Sequence, residues 1–141
     1  MTEWRTHLSS VGKARSQAVV LDAGALIAFE RGDGRMRALV REALKEGVRL
    51  VIPAGALGQA WRGSPRQAPL RALVKGRTTV VPVLDQVLAE AAGALCGRAG
   101  TSDVIDASVV LVARRERAAV VVTSDVVDLR RLDPSLPLER I

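Results

Sequence analysis

Aspartates at the junctions between elements are the residues of this chain whose type and spacing could do chemistry. Asp22 directly follows the apolar run AVVL, Asp103 and Asp106 begin a helix-like segment, and Asp125 follows the apolar run AVVV, with Asp128 three residues later. Any one of them could be a helix cap, for which aspartate is a preferred residue. Because the carboxyl ends of parallel strands share one edge of a sheet, however, we expect these carboxylates to converge.

The chemistry that such a cluster supports is metal-dependent hydrolysis. Asp22, Asp106 and Asp125 are the expected principal metal ligands, and Asp103 is a candidate fourth. Oxygen donors without a neighbouring histidine, lysine or cysteine suit Mg²⁺ or Mn²⁺ better than zinc. A bound divalent ion lowers the pKa of water and stabilises a leaving oxygen, which is the chemistry of phosphate-ester cleavage.

Two hydroxyl side chains, Thr123 and Ser124, immediately precede Asp125. They are candidates for hydrogen bonding to a phosphate or to a metal-bound water. Hydroxyl residues are also common in turns before a helix, and that simpler interpretation stays open.

The elements that must position these residues alternate between apolar runs and amphipathic segments. Strands are predicted over residues 18–21, 48–52, 78–83 and 119–122, with a short edge strand over 136–141. Helices are predicted over residues 24–30, 35–46, 66–75, 84–98 and 103–117, and another begins at Pro53. This alternation predicts an α/β fold, a three-layer α/β/α sandwich with a central parallel sheet.

The composition indicates one domain with a basic surface. The chain has 141 residues, of which 48% are hydrophobic, enough for a single core. Residues 1–17 are polar and are predicted to form a flexible N-terminal arm, and residues 18–141 a single domain. The net charge of +6 favours a polyanionic partner, but 2% of aromatic residues excludes an extended base-stacking surface.

The sequence predicts a cytoplasmic protein without a membrane segment. No stretch approaches the roughly 18 apolar residues that cross a bilayer, and the first residues lack the apolar run of a signal peptide. The single cysteine, Cys96, excludes an internal disulfide and is expected to be buried.

Four segments, in this order and spacing, resemble the motifs of PIN-domain ribonucleases, and specifically of VapC toxins of toxin–antitoxin pairs. They are VVLDAGALIAFERG, VIPAGALGQAWRG, TSDVIDASVVLVA and VVVTSDVVDL, and the resemblance covers about residues 19–132. It implies a PIN-like α/β/α sandwich, RNA cleavage that depends on Mg²⁺ or Mn²⁺, a homodimer, and neutralisation by a cognate VapB-type antitoxin.

Carried over position by position, the resemblance places the first family acid on Asp22, the third on Asp106 and the fourth on Asp125. The second acid, usually a glutamate, is replaced by Gln59. An amide can accept a hydrogen bond from a metal-bound water, but it brings no charge and cannot act as a base. A hypothesis is that Asp103 supplies the missing carboxylate, so both residues belong to the predicted catalytic set.

Two arginines, Arg62 and Arg66, flank the segment that contains Gln59. A guanidinium near the metal could clamp an RNA phosphate through two hydrogen bonds. Since 18 residues of the chain are arginine, an ordinary solvated surface is the alternative.

Two other functions remain open at this point. A degenerate PIN domain that binds RNA or an antitoxin without efficient cleavage would explain Gln59. A haloacid-dehalogenase-like phosphatase is suggested faintly by LDAGALIAF, although Gly24 stands where that family has its second carboxylate.

Overall fold

A five-stranded parallel sheet forms the centre of the protein. The structure, a computed structural model, describes residues 17–141. The strands are β1 (Ala18–Leu21), β2 (Arg49–Val51), β3 (Thr79–Val80), β4 (Val120–Thr123) and β5 (Leu138–Arg140). They lie in the order β3-β2-β1-β4-β5, and every neighbouring pair is parallel.

Seven α-helices connect the strands within residues 17–141. They are α1 (Ala23–Glu30), α2 (Gly34–Lys45), α3 (Ala54–Ala60), α4 (Ala68–Val74), α5 (Gln86–Ala99), α6 (Val104–Arg115) and α7 (Val126–Leu132), and a 3₁₀ turn over Pro65–Gln67 precedes α4. None of these helices is both long enough and apolar enough to span a bilayer.

The two faces of the sheet are both buried, and β1 shows how. Its four side chains have no solvent exposure, and they alternate between two apolar clusters because successive strand residues point to opposite faces. Val19 and Leu21 pack in a cluster with residues of α1, α2 and α4, whereas Ala18 and Val20 pack in a cluster with residues of α5, α6 and α7. The predicted three-layer α/β/α sandwich is therefore confirmed.

The element boundaries differ from the sequence prediction in three places. β3 has only two residues instead of the predicted 78–83, because Pro82 carries no N–H for a strand ladder. Helix α7, of seven residues, was not predicted. Gln17, the last residue of the predicted arm, is buried and its carbonyl accepts from Arg49 N, and the rest of the predicted arm lies outside the described residues.

The strand order reverses between β1 and β4. From β1 the chain adds β2 and then β3 on one side, and it later returns to add β4 and β5 on the other side. In open parallel sheets, ligands bind beyond the carboxyl ends of the strands at such a switch point. Asp22 N donates to Val122 O at 3.2 Å here, so the residues that follow the two strands begin side by side.

Candidate metal centre

Asp22 lies at the carboxyl end of β1 and begins α1. Its Oδ1 accepts a hydrogen bond of 3.0 Å from Ala25 N, so the predicted capping role is confirmed. Burial raises the pKa of this carboxyl above its ordinary value, and the charge of Asp125 raises it further. Hydrogen bonds from the Thr123 side chain and from the backbone of Ala25 and Gly24 act in the opposite direction. The Asp22 carboxylate is thus fixed by hydrogen bonds in an environment that disfavours its negative charge.

Asp106 lies in the first turn of α6, directly behind the cap residue Asp103. The Asp103 carboxylate accepts a hydrogen bond of 2.9 Å from Asp106 N. Burial raises the pKa of Asp106 to about 7, with further contributions from Asp103, Asp125 and Asp128. The pKa of Asp106 is raised by the charges of three other carboxylates, so Asp106 lies in a region of negative electrostatic potential.

Asp125 connects the two halves of this site. Its charge raises the pKa of Asp22 and also that of Asp106, although these residues follow different elements. It begins α7, but unlike Asp103 it makes no side-chain capping bond. Its carboxylate therefore makes no hydrogen bond to the backbone N–H groups at the start of α7.

Thr123 fixes the relative positions of Asp22 and Asp125. Its hydroxyl oxygen accepts a hydrogen bond of 2.8 Å from Asp125 N, and its hydroxyl group bonds to the Asp22 carboxylate. The side chain has no solvent exposure. Thr123 therefore contacts the residues that follow both strands, and its predicted hydrogen bond to a phosphate or a metal-bound water stays a prediction.

Ser124, by contrast, is exposed and lies against the start of α1. A Cβ atom added to Gly24 would come within 2.0 Å of Ser124 Oγ and 2.8 Å of its Cβ. The close approach of β4 to α1 therefore requires glycine at position 24. Ser124 remains available for the predicted hydrogen bond to a phosphate or a metal-bound water.

A cleft of about 660 Å³ opens between the start of α6 and the side of α7, and we name it the aspartate cleft; neither Asp22 nor Asp125 lines it. Asp103, Asp106, Asp128 and Arg131 line it. Asp128 was expected among the converging carboxylates but not named as a metal ligand, and Arg131 was not predicted as a site residue. The missed signal is a near repeat, because TSDVID at 101–106 and TSDVVD at 123–128 both begin a helix with the same D-x-x-D spacing.

Gln59, Arg62 and Arg66 do not line the aspartate cleft. They line a second cleft of about 610 Å³, together with Glu30 and Arg31, and we name it the arginine cleft. It lies where the ends of α1 and α3 meet the loop that follows α3. The structure thus places Asp103 and Asp106 in the aspartate cleft and Asp125 within electrostatic reach of Asp22 and Asp106, but it gives Gln59 different neighbours.

The carboxylates do not form a ready-made metal site. Among residues 17–141, no three acidic, histidine or cysteine side chains are arranged to hold an ion. Their mutual influence on pKa nevertheless places Asp125 within electrostatic reach of both Asp22 and Asp106.

Comparisons with known proteins leave the chain without an assigned family. No protein-family model matches it, and no curated protein is significantly similar to it. The resemblance to PIN-domain ribonucleases therefore stays a prediction from the four sequence segments.

Proposed function

We propose that this protein is a metal-dependent endoribonuclease that acts as the toxin of a toxin–antitoxin pair. The observation that carries the proposal is that Asp22 and Asp125 follow neighbouring parallel strands at the switch point of the sheet, and that the charge of Asp125 acts on both Asp22 and Asp106. Neighbouring carboxylates that repel one another are stabilised by a bound cation or by protonation, and such clusters are common at functional sites.

The donor set fits Mg²⁺ or Mn²⁺. Asp22, Asp106 and Asp125 would hold the ion, with Asp103 or Asp128 as a further oxygen donor, and these hard oxygen ligands match those cations. When bound, the ion would supply a nucleophilic water at neutral pH and stabilise the leaving oxygen of a phosphodiester.

The residues of the chain prepare this site before any ligand arrives. Thr123 holds the Asp22 carboxylate and also bonds Asp125 N, so a ligand does not have to order these residues. Asp106 holds a proton on its carboxyl below about pH 7 and gives it up above that. Arg131 brings a cation into the aspartate cleft, where a guanidinium can face a phosphate oxygen.

RNA is the proposed substrate because the chain is basic, and the few aromatic residues favour contacts to the RNA backbone over stacking on the bases. The charge of +6 attracts the phosphate backbone, whereas base stacking has few side chains available. The remaining parts of the proposal, namely a homodimer, a VapB-type antitoxin and a cytoplasmic location, rest on the family resemblance alone.

A cleavage assay with the purified protein tests the enzyme. We expect total RNA to be cut in Mg²⁺ or Mn²⁺, and cutting to stop with EDTA or in Asp22→Asn. Asp33→Asn is the matched control, because Asp33 also caps a helix, α2, but lies outside both clefts. Cleavage that survives both EDTA and Asp22→Asn would refute the metal-nuclease proposal.

The toxin role has its own test. Expression of the chain should arrest bacterial growth, and co-expression of the neighbouring reading frame should relieve the arrest. Growth arrest that persists in Asp22→Asn would separate toxicity from the proposed chemistry.

A second candidate is a PIN-like domain that binds RNA without cutting it. The position of Gln59 favours it, since the residue at the family's glutamate position lies beside arginines instead of lining the aspartate cleft. RNA binding without cleavage in either metal would select this candidate.

The phosphatase alternative meets a steric obstacle. Its second carboxylate would stand at position 24, where even a methyl group would collide with Ser124. No observation in the structure favours that function.

A further inference from the structure

The arginine cleft carries an excess of positive charge. Arg31 ends α1, and Arg62 and Arg66 come from the loop after α3, while Glu30 is the only acidic residue of the described part that lines it. Among residues 17–141, no carboxylate forms an ion pair with any of the three arginines. Three arginines thus line one cleft without forming an ion pair with a carboxylate of residues 17–141.

The loop that presents two of these arginines is held from within by Gln67. This buried side chain accepts hydrogen bonds from Arg62 N at 2.7 Å and from Gly63 N at 3.1 Å, and it donates to Ala60 O at 2.8 Å. Gly63 has a φ of +71°, a conformation that favours glycine. The loop is therefore a fixed structure, so the arginine cleft does not have to be ordered by its ligand.

Arg62 is also fixed at its head group. Its guanidinium donates to Trp61 O at 2.7 Å, which leaves other N–H groups of the fork to point elsewhere. Behind the loop, Arg71 donates to Ser64 O at 3.2 Å and lies over the Trp61 ring. These contacts support the loop from the side away from the cleft lining, of which Arg71 is not a member.

Helix α1 connects this cleft to the aspartates. Asp22 caps one end of the helix and Arg31 caps the other, so the two lie about 13 Å apart along the axis at the usual rise per residue. At about 3.4 Å per nucleotide of a stacked strand, that length corresponds to about four nucleotides.

We propose that the arginine cleft binds the phosphate backbone of an RNA strand, about four nucleotides from the bond that the aspartates cut. This inference rests on the proposed function. An RNA backbone is favoured over an acidic protein segment because protein partners are anchored by apolar pockets. Among the described residues, Ile27 and Ala60 are the only apolar side chains that line the arginine cleft. Arg31, which lies outside the predicted site, becomes a substrate-binding residue.

RNA binding in EDTA tests the proposal without any cleavage. The probe is a fluorescein-labelled oligouridylate long enough to span both clefts, and its anisotropy is measured against the full chain at several salt concentrations. The variants are Arg31→Ala with Arg66→Ala, and separately Glu30→Gln. The matched control is Arg41→Ala with Arg98→Ala, since both arginines are exposed and line neither cleft.

We expect the Arg31/Arg66 variant to weaken binding roughly tenfold at low salt and to reduce the salt slope by about 1.4, since each phosphate contact contributes about 0.7 for single strands. Glu30→Gln should tighten binding, because it removes the one negative charge of the cleft. A variant that merely unfolds cannot give opposite effects at neighbouring residues. The control pair should leave the slope unchanged.

Three outcomes would overturn the inference: no RNA binding by the unmodified chain, equal effects in the Arg31/Arg66 and control variants, or no tightening in Glu30→Gln. Binding of a polyglutamate peptide that depends on Arg31 and Arg66, with RNA binding unaffected, would assign the cleft to an acidic protein instead. Failure here leaves metal-dependent cleavage standing, and failure of the Asp22→Asn cleavage test leaves the binding result standing.

Discussion

The hydroxyl group of Thr123 hydrogen-bonds to the carboxylate of Asp22, and the same oxygen accepts from Asp125 N at 2.8 Å. One buried side chain thus links residues that follow two neighbouring strands. The arrangement explains how carboxylates that repel each other are kept at the same edge of the sheet. Positioning is supplied by the fold itself, before any cation binds.

Replacing Thr123 with valine should therefore disturb both aspartates. The substitution keeps the shape but removes the hydroxyl, which leaves a buried carboxylate and a buried N–H short of a partner. We expect a loss of about 1–3 kcal/mol in the free energy of unfolding, measured by urea denaturation. The pKa of Asp22 should rise further, because the hydrogen bond that lowers it is gone.

Thr123→Ser is the control for this prediction, since it keeps the hydroxyl and removes only a methyl group. We expect Thr123→Val to lose cleavage activity, because the hydroxyl no longer positions Asp22 and Asp125, and Thr123→Ser to retain most of it. Equal activity of the two variants would show that the hydroxyl does not position the site.

Gly24→Ala should damage the same region from the side of α1. Its Cβ would come within 2.0 Å of Ser124 Oγ, so the loop before α7 must shift. Overpacking of this kind costs about 1–3 kcal/mol, and we expect metal-dependent cleavage to fall with it. Gly93→Ala, in the middle of α5 with open space around it, should instead stabilise the protein by about 0.5–1 kcal/mol in thermal denaturation. Two destabilised or two stabilised variants would contradict the packing argument.

The fold followed from the sequence because its signal is local. All five strands and six of the seven helices of the described residues correspond to predicted segments, with boundary differences of a few residues. β3 was predicted too long and α7 was not predicted, since such short elements show little or no period of their own. Their extent depends on neighbours, namely β2 for the strand and the packing of Leu129 and Leu132 for the helix.

The candidate site was predicted less completely because it depends on distances across the fold. Asp22, Asp106 and Asp125 could be named from their places after strands and at a helix start. That Asp125 influences both of the others, and that Thr123 is buried between elements, follows only from the register of β1 with β4. Gln59 could not be located from the sequence, since its cleft is formed by α1, α3 and the following loop.

Asp103→Asn separates the capping role of Asp103 from a role in metal binding. Asparagine is an equally good cap, so α6 should be unaffected, while one negative charge leaves the aspartate cleft. The pKa of Asp106 should fall, because Asp103 raises it both by charge and by a hydrogen bond. Carboxyl carbon titration by NMR measures that shift.

If Asp103 replaces the missing family glutamate, Asp103→Asn should also weaken Mn²⁺ binding by at least about tenfold in calorimetry. If it is only a cap, Mn²⁺ binding at neutral pH should become tighter, because Asp106 would then lose its proton more easily. Asp33→Asn again serves as the control cap outside the clefts. Unchanged or tighter binding would end the replacement hypothesis.

The pH dependence of stability should carry the signature of Asp106. Its pKa rises from an ordinary 3.8 to about 7 on folding, so between these values the folded protein binds more protons than the unfolded chain. Stability from this group is therefore full below about pH 4 and is lost as the pH rises through about 7, and Asp22 shifts in the same direction. In EDTA, the midpoint of thermal unfolding should fall over this range, and Asp106→Asn should make the fall smaller.

Mg²⁺ should counteract this fall in the unfolding midpoint. It should raise the midpoint more at about pH 8 than at about pH 5, since a protonated carboxyl cannot ligate a cation. A Mg²⁺ effect that is equal at both pH values would mean that Asp106 does not bind the ion.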